Sequence, residues 1–251
     1  MEIKKIVITG GANRIGRSIA LELASYDTQI VIHYSKSFLA AKKLKIELEN
    51  LGSIVYLLKA DLNNLKQTQR IISYAYKKMK GLNCLINNAS IFENDNLVNF
   101  SDKSFMNHLN INLKAPAILI RDFAKKYNGK DGNIVNIIDQ RIEKLTPFFF
   151  SYTLSKVGLA TLTKTAAMKL APNIRVNAVS PGPTLKNKRQ SEKHFKKQWK
   201  STILGKKVDT KNVSSAVKFL IDNNNITGQI INVDSGQRLA WQTPDIINSK
   251  E

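Results

Sequence analysis

Short runs of β-branched and other apolar residues alternate along the chain with longer stretches in which apolar positions recur at helical spacing. That alternation predicts βαβ units and a parallel sheet. Strands are expected at "IKKIVITG" (3–10), "TQIVIHY" (28–34), "SIVYLLKA" (53–60), "LNCLINNA" (82–89), "GNIVNIID" (132–139), "NIRVNAVS" (173–180) and "GQIINVD" (228–234). Helices are expected over about 14–25, 36–51, 64–80, 101–127, 150–171 and 210–222. Seven strands with intervening helices make an α/β fold with an open, doubly wound parallel sheet, which binds its ligand outside the carboxyl ends of the strands. One segment breaks the pattern. Between Pro183 and Lys207, residues 186–200 carry seven Lys/Arg and one Glu just after the sixth strand, the position of a mobile basic lid over a substrate site.

A chain of 251 residues fits a single domain over 1–251, since no Pro/Gly/Ser-rich linker or internal repeat divides it. No apolar run approaches the roughly 18 residues of a membrane helix, and "MEIKKIVITG" enters a strand without the features of a signal peptide. With Cys84 as the only cysteine, no disulfide can form within the chain, and a cytoplasmic location is expected. The formal net charge of +20 raises nucleic-acid binding as a reading. Composition weakens it. Of 39 basic residues 31 are Lys, and Lys, Ile and Asn, all with A/T-rich codons, supply 84 of the 251 residues. Lys is also a poor substitute for Arg in bidentate base contacts. Neither a nucleic-acid nor a membrane partner is expected, and no metal site is read.

"TGGANRIG" (9–16) joins the first strand to the first helix. Gly10 permits the tight turn and Gly16 the close packing of the helix, so backbone N–H groups and the helix N-terminus face a pyrophosphate. This is the strand–turn–helix context of a Rossmann-type dinucleotide site. An NAD site wants an acid at the end of the second strand for the ribose 2′-hydroxyl. Here the sequence reads "HYSKS", His33 to Ser37, with no acid. Ser35, Lys36 and Ser37 with Arg14 form a donor-rich cationic cradle that predicts NADP(H).

Tyr152 and Lys156 in "SYTLSK" lie four apart on one helix and share a face. A nearby ammonium is expected to lower the phenol pKa and make Tyr152 a usable acid. With "TGGANRIG", "DL" (61–62), "NNAS" (87–90), Asn112 in "NINLKAP" and "SPG" (180–182) in this order, the chain resembles the short-chain dehydrogenase/reductase family over nearly its whole length. The resemblance implies that Gly10, Arg14, Ile15, Gly16, His33, Tyr34, Ser35 and Lys36 meet the cofactor. It also implies that Asp61 and Leu62 contact adenine, that Asn87, Ala89 and Ser90 line the cofactor path, and that Pro181 and Gly182 flank the nicotinamide. Lys156 would hold the nicotinamide ribose, and Asn112 would order a water-linked proton relay. The family commonly forms homotetramers, so a homo-oligomer is expected.

Two positions depart from the family pattern. Ser90 replaces a usual glycine, and Asp139 stands thirteen residues before Tyr152, where the family places a catalytic serine. Arg14, Asp139, His33-Tyr34 and Ser90-Ile91-Phe92 are similar to the pteridine reductases and the dihydromonapterin reductases of folate metabolism. The resemblance implies reduction of a dihydropterin or dihydrofolate, with Ser90, Phe92, Asp139 and Tyr152 at the substrate and Phe92 stacked on the pterin. Delivering a proton to a ring nitrogen gives a carboxyl group a role that a serine hydroxyl cannot fill. A carbonyl reductase of 3-oxoacyl or sugar type is the enzyme alternative, and a non-catalytic NADP(H)-binding or nucleic-acid-associated protein is the alternative of another class. The basic lid raises the expectation of a substrate with an acidic tail.

Overall fold

The computed structural model describes residues 4–187 and 189–241. Seven strands, β1 (Lys4–Ile8), β2 (Thr28–Tyr34), β3 (Ile54–Lys59), β4 (Cys84–Asn87), β5 (Gly132–Ile137), β6 (Ile174–Pro181) and β7 (Ile230–Val233), form one sheet in the order β3-β2-β1-β4-β5-β6-β7. Every neighbouring pair is parallel. This is the doubly wound, Rossmann-type α/β arrangement that the alternation predicts. Alternate residues of a strand point to opposite faces. Ile6 and Ile8 of β1 therefore join a core with Ile30 and Ile32 under α1 (Arg14–Leu23), α2 (Phe38–Asn50) and α8 (Thr210–Asp222). Val7 and Val31 face the other way, into a core beneath α3 (Leu65–Met79), α5 (Ala115–Lys126) and α6 (Phe150–Leu170).

The long helix expected over 101–127 is interrupted. It runs as α4 (Asp102–Leu109), a π-helical turn over Asn110–Lys114, and then α5. Pro116 supplies the reason, because it has no N–H to donate to Asn112 four residues back and its ring crowds that carbonyl. The last helix before α8 is α7 (Glu192–Lys200), within the expected lid. The sequence "QRLAWQTPDIIN" (237–248) offers Leu239 and Trp241 for a subunit contact or for capping the sheet; both are exposed in the single chain, and residues 242–248 lie outside the described residues. Among the described residues, no helix is long and apolar enough to cross a membrane.

Strand order reverses direction at β1 and β4, and the crevice there is the topological switch point of such a sheet. Thr9 binds the two sides together. Its hydroxyl accepts from Asn88 N (3.0 Å) and Ala89 N (3.1 Å), while Asn88 Nδ2 donates to Thr9 O and Gly10 O.

Candidate active site

At the nucleotide end, Gly10 holds a left-handed φ of +60°, and a Cβ on Gly16 would come within 2.4 Å of Gly10 O. Both positions therefore require glycine. His33 lies under this turn. Its Nδ1 accepts from Gly10 N (3.1 Å) and its Nε2 donates to Ala60 O (3.0 Å). That pattern needs the neutral ring, and burial depresses its pKa to about 4 against the opposing pull of Ala60 O and Asp61. His33 thus serves the nucleotide end by fixing the glycine turn, with both ring nitrogens spent on the protein. Arg14, left-handed at φ +54°, donates from its guanidinium to Leu185 O and Lys186 O, both at 3.0 Å. These bonds tie the nucleotide loop to the lid.

At the chemical end, Asp139 follows β5 and Tyr152 lies in the first turn of α6. Tyr152 Oη donates to Asp139 Oδ2 at 2.8 Å. Asp139 is only partly exposed as a residue and its carboxyl is enclosed, so burial raises its pKa despite hydrogen bonds from Arg141 N and Tyr152 and the charges of Arg141 and Lys156. Burial, then the Asp139 charge, pushes the Tyr152 pKa well up. This corrects the expectation that Lys156 lowers it. The Lys156 ammonium donates to Ile137 O (2.8 Å) and sits 5.7 Å from the Tyr152 ring centroid, while the carboxyl touches the phenol directly. Burial in turn lowers Lys156 to about 8, with Asp139 opposing.

The loop after β4 packs against this pair. Asn112 in the π turn is fully buried: its Oδ1 accepts from Ile91 N and Ser90 Oγ, and its Nδ2 donates to Ile91 O and Ser155 Oγ. Ser155 Oγ donates to Tyr152 O (2.6 Å). Phe92 meets the Tyr152 ring edge-on at 4.6 Å and stacks on Phe149 at 4.3 Å with 5° between planes. Asp95 fixes the start of α6, accepting from Phe149 N (2.7 Å) through its carbonyl and from Ser151 N (3.1 Å) through Oδ1. Sequence reasoning missed Asp95, Arg141, Phe149 and Ser155. Only the run "FFF" at 148–150, beside "SY", hinted at an aromatic wall.

One cavity of about 1250 Å³ joins the two ends. It is lined by Gly10, Arg14, Ile15, Gly16, His33, Tyr34, Ser35, Lys36, Asp61, Leu62, Ala89, Ser90, Phe92, Asp139, Tyr152, Lys156, Pro181 and Gly182 from the expected set. Asn87 and Asn112 stand behind the wall, Asn87 donating to Asn136 Oδ1 (2.9 Å). From the lid, Asn187, Gln190, His194, Phe195 and Gln198 line the cavity, and none of the α7 lysines does. The residues fit a dinucleotide. A glycine turn that a Cβ would fill, a helix N-terminus, and a cationic β2 end without a carboxylate are what a phosphorylated dinucleotide needs.

Residues 10–238 match a family model described as enoyl-(acyl carrier protein) reductase, one of the short-chain dehydrogenase/reductase models. The chain belongs to the short-chain dehydrogenase/reductase family. It is accordingly an NAD(P)-dependent oxidoreductase. Within the family it is similar to the crystal structure of FolM alternative dihydrofolate reductase 1 from Brucella suis in complex with NADP. The identity is 38%, over 97% of this chain and 98% of that one, with a TM-score of 0.92. It is 33% identical to 3-oxoacyl-[acyl-carrier-protein] reductase FabG of Buchnera aphidicola over 93% of this chain and 97% of the relative. It is also 23% identical to the dihydromonapterin reductase of Enterobacter sp. strain 638, over 94% and 97%. In this member of the family the Asp139 carboxyl accepts a hydrogen bond from Tyr152.

Proposed function

We propose that the protein is an NADPH-dependent reductase of a dihydropterin or dihydrofolate to its tetrahydro form. The observation that carries this reading is the 2.8 Å bond between Tyr152 Oη and the enclosed Asp139 carboxyl. The names of the Brucella and Enterobacter relatives support the same substrate class. When bound, the cofactor supplies hydride to a ring carbon of the substrate. The chain's own residues then have to deliver one proton to the neighbouring ring nitrogen.

Burial favours the protonated forms of both Asp139 and Tyr152. With Asp139 protonated, the Tyr152–Asp139 hydrogen bond reverses, so that Tyr152 passes its proton to the ring nitrogen as the Asp139 carboxyl reprotonates Oη, leaving one carboxylate that bulk water later reloads. A serine at this position could donate a hydrogen bond to a developing alkoxide but would not supply a proton at neutral pH. In this reading Arg14, Ser35, Lys36 and Ser37 take the 2′-phosphate, and Lys156 takes the nicotinamide ribose. Asn112 holds Ser155 and the Ser90–Ile91 loop in place, and Phe92 presents an apolar face to the flat substrate.

The competing reading is the ketone chemistry named for the Buchnera relative. Exchanging Asp139→Ser separates the two. Dihydropterin turnover is expected to fall by about 10²-fold or more, the worth of a general acid. Undiminished dihydropterin turnover in that variant, or turnover of an acetoacetyl thioester by the unaltered protein in preference to any dihydropterin, would reject the proposal.

A further inference from the structure

Arg141 follows Asp139 by two residues on a short 3₁₀ turn, and its backbone N–H donates to Asp139 Oδ1 at 2.9 Å. Its guanidinium lies 4.5 Å from the Phe149 ring centroid and 5.8 Å from that of Phe92, and it donates to Thr146 Oγ1 (3.1 Å). All four of these residues line the cavity. Among the described residues, no carboxylate forms an ion pair with Arg141. The neighbouring cations are committed elsewhere: Arg189 pairs with Glu93, Arg14 meets lid carbonyls, and Lys156 meets Ile137 O.

Phe149 is held at φ +59°, a conformation that a bulky residue adopts at a cost of about 1–2 kcal/mol. The Asp95 carbonyl holds it there, and the result is a ring stacked on Phe92 with the guanidinium beside it. A guanidinium within cation–π distance of a ring keeps N–H donors available for a carboxylate. An aromatic wall that begins at the reactive phenol and ends at a guanidinium with no ion-pair partner among the described residues is complementary to an aryl group bearing a carboxylate.

We propose that Arg141, Thr146, Phe149 and Phe92 form a subsite for an aryl-linked carboxylate tail on the pterin ring. The preferred substrate is then a folate-type dihydropterin and not an untailed one. This rests on the dihydropterin reading above. It moves recognition of an acidic tail from the lid lysines to Arg141, since Lys186 and the α7 lysines, the described lysines of residues 186–200, do not line the cavity.

The test pairs kinetics with binding. For the unaltered protein, Arg141→Gln and Arg141→Lys, kcat/KM is measured with dihydrofolate and with dihydrobiopterin. The dihydrofolate-to-dihydrobiopterin ratio is expected to fall by about tenfold or more in Arg141→Gln, chiefly through KM, the size of a lost charge-assisted contact. Arg141→Lys is expected to recover part of it. Equal loss on both substrates would mean that Arg141 acts through Asp139 or its loop, and would overturn the subsite.

The second arm needs neither turnover nor a variant. The NADP⁺-loaded unaltered protein is titrated with p-aminobenzoylglutamate and with neutral p-aminobenzamide, at low and high salt. Preference for the glutamate compound by about tenfold or more, weakened by salt, is expected. Equal affinity, or no binding of the glutamate compound, overturns the subsite. Binding as expected without turnover of any dihydropterin retains the subsite and rejects the reductase reading.

Discussion

A carboxyl group enclosed beside a phenol costs stability whenever it ionises, and Asp139 is placed to incur that cost. Its folded-state pKa is raised above the ordinary carboxylate value of 3.8, mainly by burial. The folded protein therefore holds this proton more tightly than the unfolded chain does. The resulting stability is complete below the unfolded pKa and is lost as pH rises through the folded one. Asp139→Asn has no such loss. Its melting temperature is expected to exceed that of the unaltered protein at pH 7, by about 2–4 °C for each kcal/mol, with the gap closing as pH falls toward 4. Equal melting temperatures at both ends of that range would mean that the carboxyl is not enclosed. The position of Asp139 was legible from its spacing to Tyr152, but the direction of the Tyr152 pKa was not. Helical spacing put Lys156 on the same face, yet it could not reveal that the ammonium donates to Ile137 O or that the carboxyl is the phenol's direct partner. Phe149 and Arg141 were hidden for a related reason: their contacts depend on a left-handed residue in an irregular loop, and no periodicity records that.

The π turn at Asn110–Lys114 places a buried amide where four hydrogen bonds converge on it from the Ser90–Ile91 loop and from α6. Asn112→Ala would leave Ile91 N without its partner, at about 1–3 kcal/mol, while Ile91 O keeps Ser90 Oγ and Ser155 Oγ keeps Tyr152 O. Urea unfolding is expected to show a loss of about 1–3 kcal/mol, together with a fall in kcat, because Ser155 braces the turn that carries Tyr152. A loss under about 1 kcal/mol would show that the loop satisfies Ile91 N without Asn112. All seven strands and the main helices were legible, since apolar period is a direct imprint of burial on the two faces of the sheet. The interruption between α4 and α5 was not, because a π turn shifts phase by only one residue and the apolar pattern continues through it. Its one visible cause is Pro116, four residues after Asn112.

On the scale of the whole molecule, sheet order brings the ends of β1, β2, β4, β5 and β6 to one cavity, with glycine turn and cations at one end and the Asp139–Tyr152 pair at the other. The lid closes over it with amide and aromatic side chains, and Arg14 links lid to nucleotide loop. A net charge of +20 and the run of lysines at 186–200 drew attention in the sequence to the lid's charge. The fold turns Lys193, Lys196, Lys197 and Lys200 outward, so the chemistry of the lid's inner face was legible only after α7 was placed. The most direct test of the account is the NADPH-dependent kcat/KM of the purified protein on dihydrofolate, dihydromonapterin and an acetoacetyl thioester, measured side by side. A dihydropterin preferred over the thioester by about 10²-fold or more is the predicted result. Thioester reduction exceeding that of both pterins would contradict it.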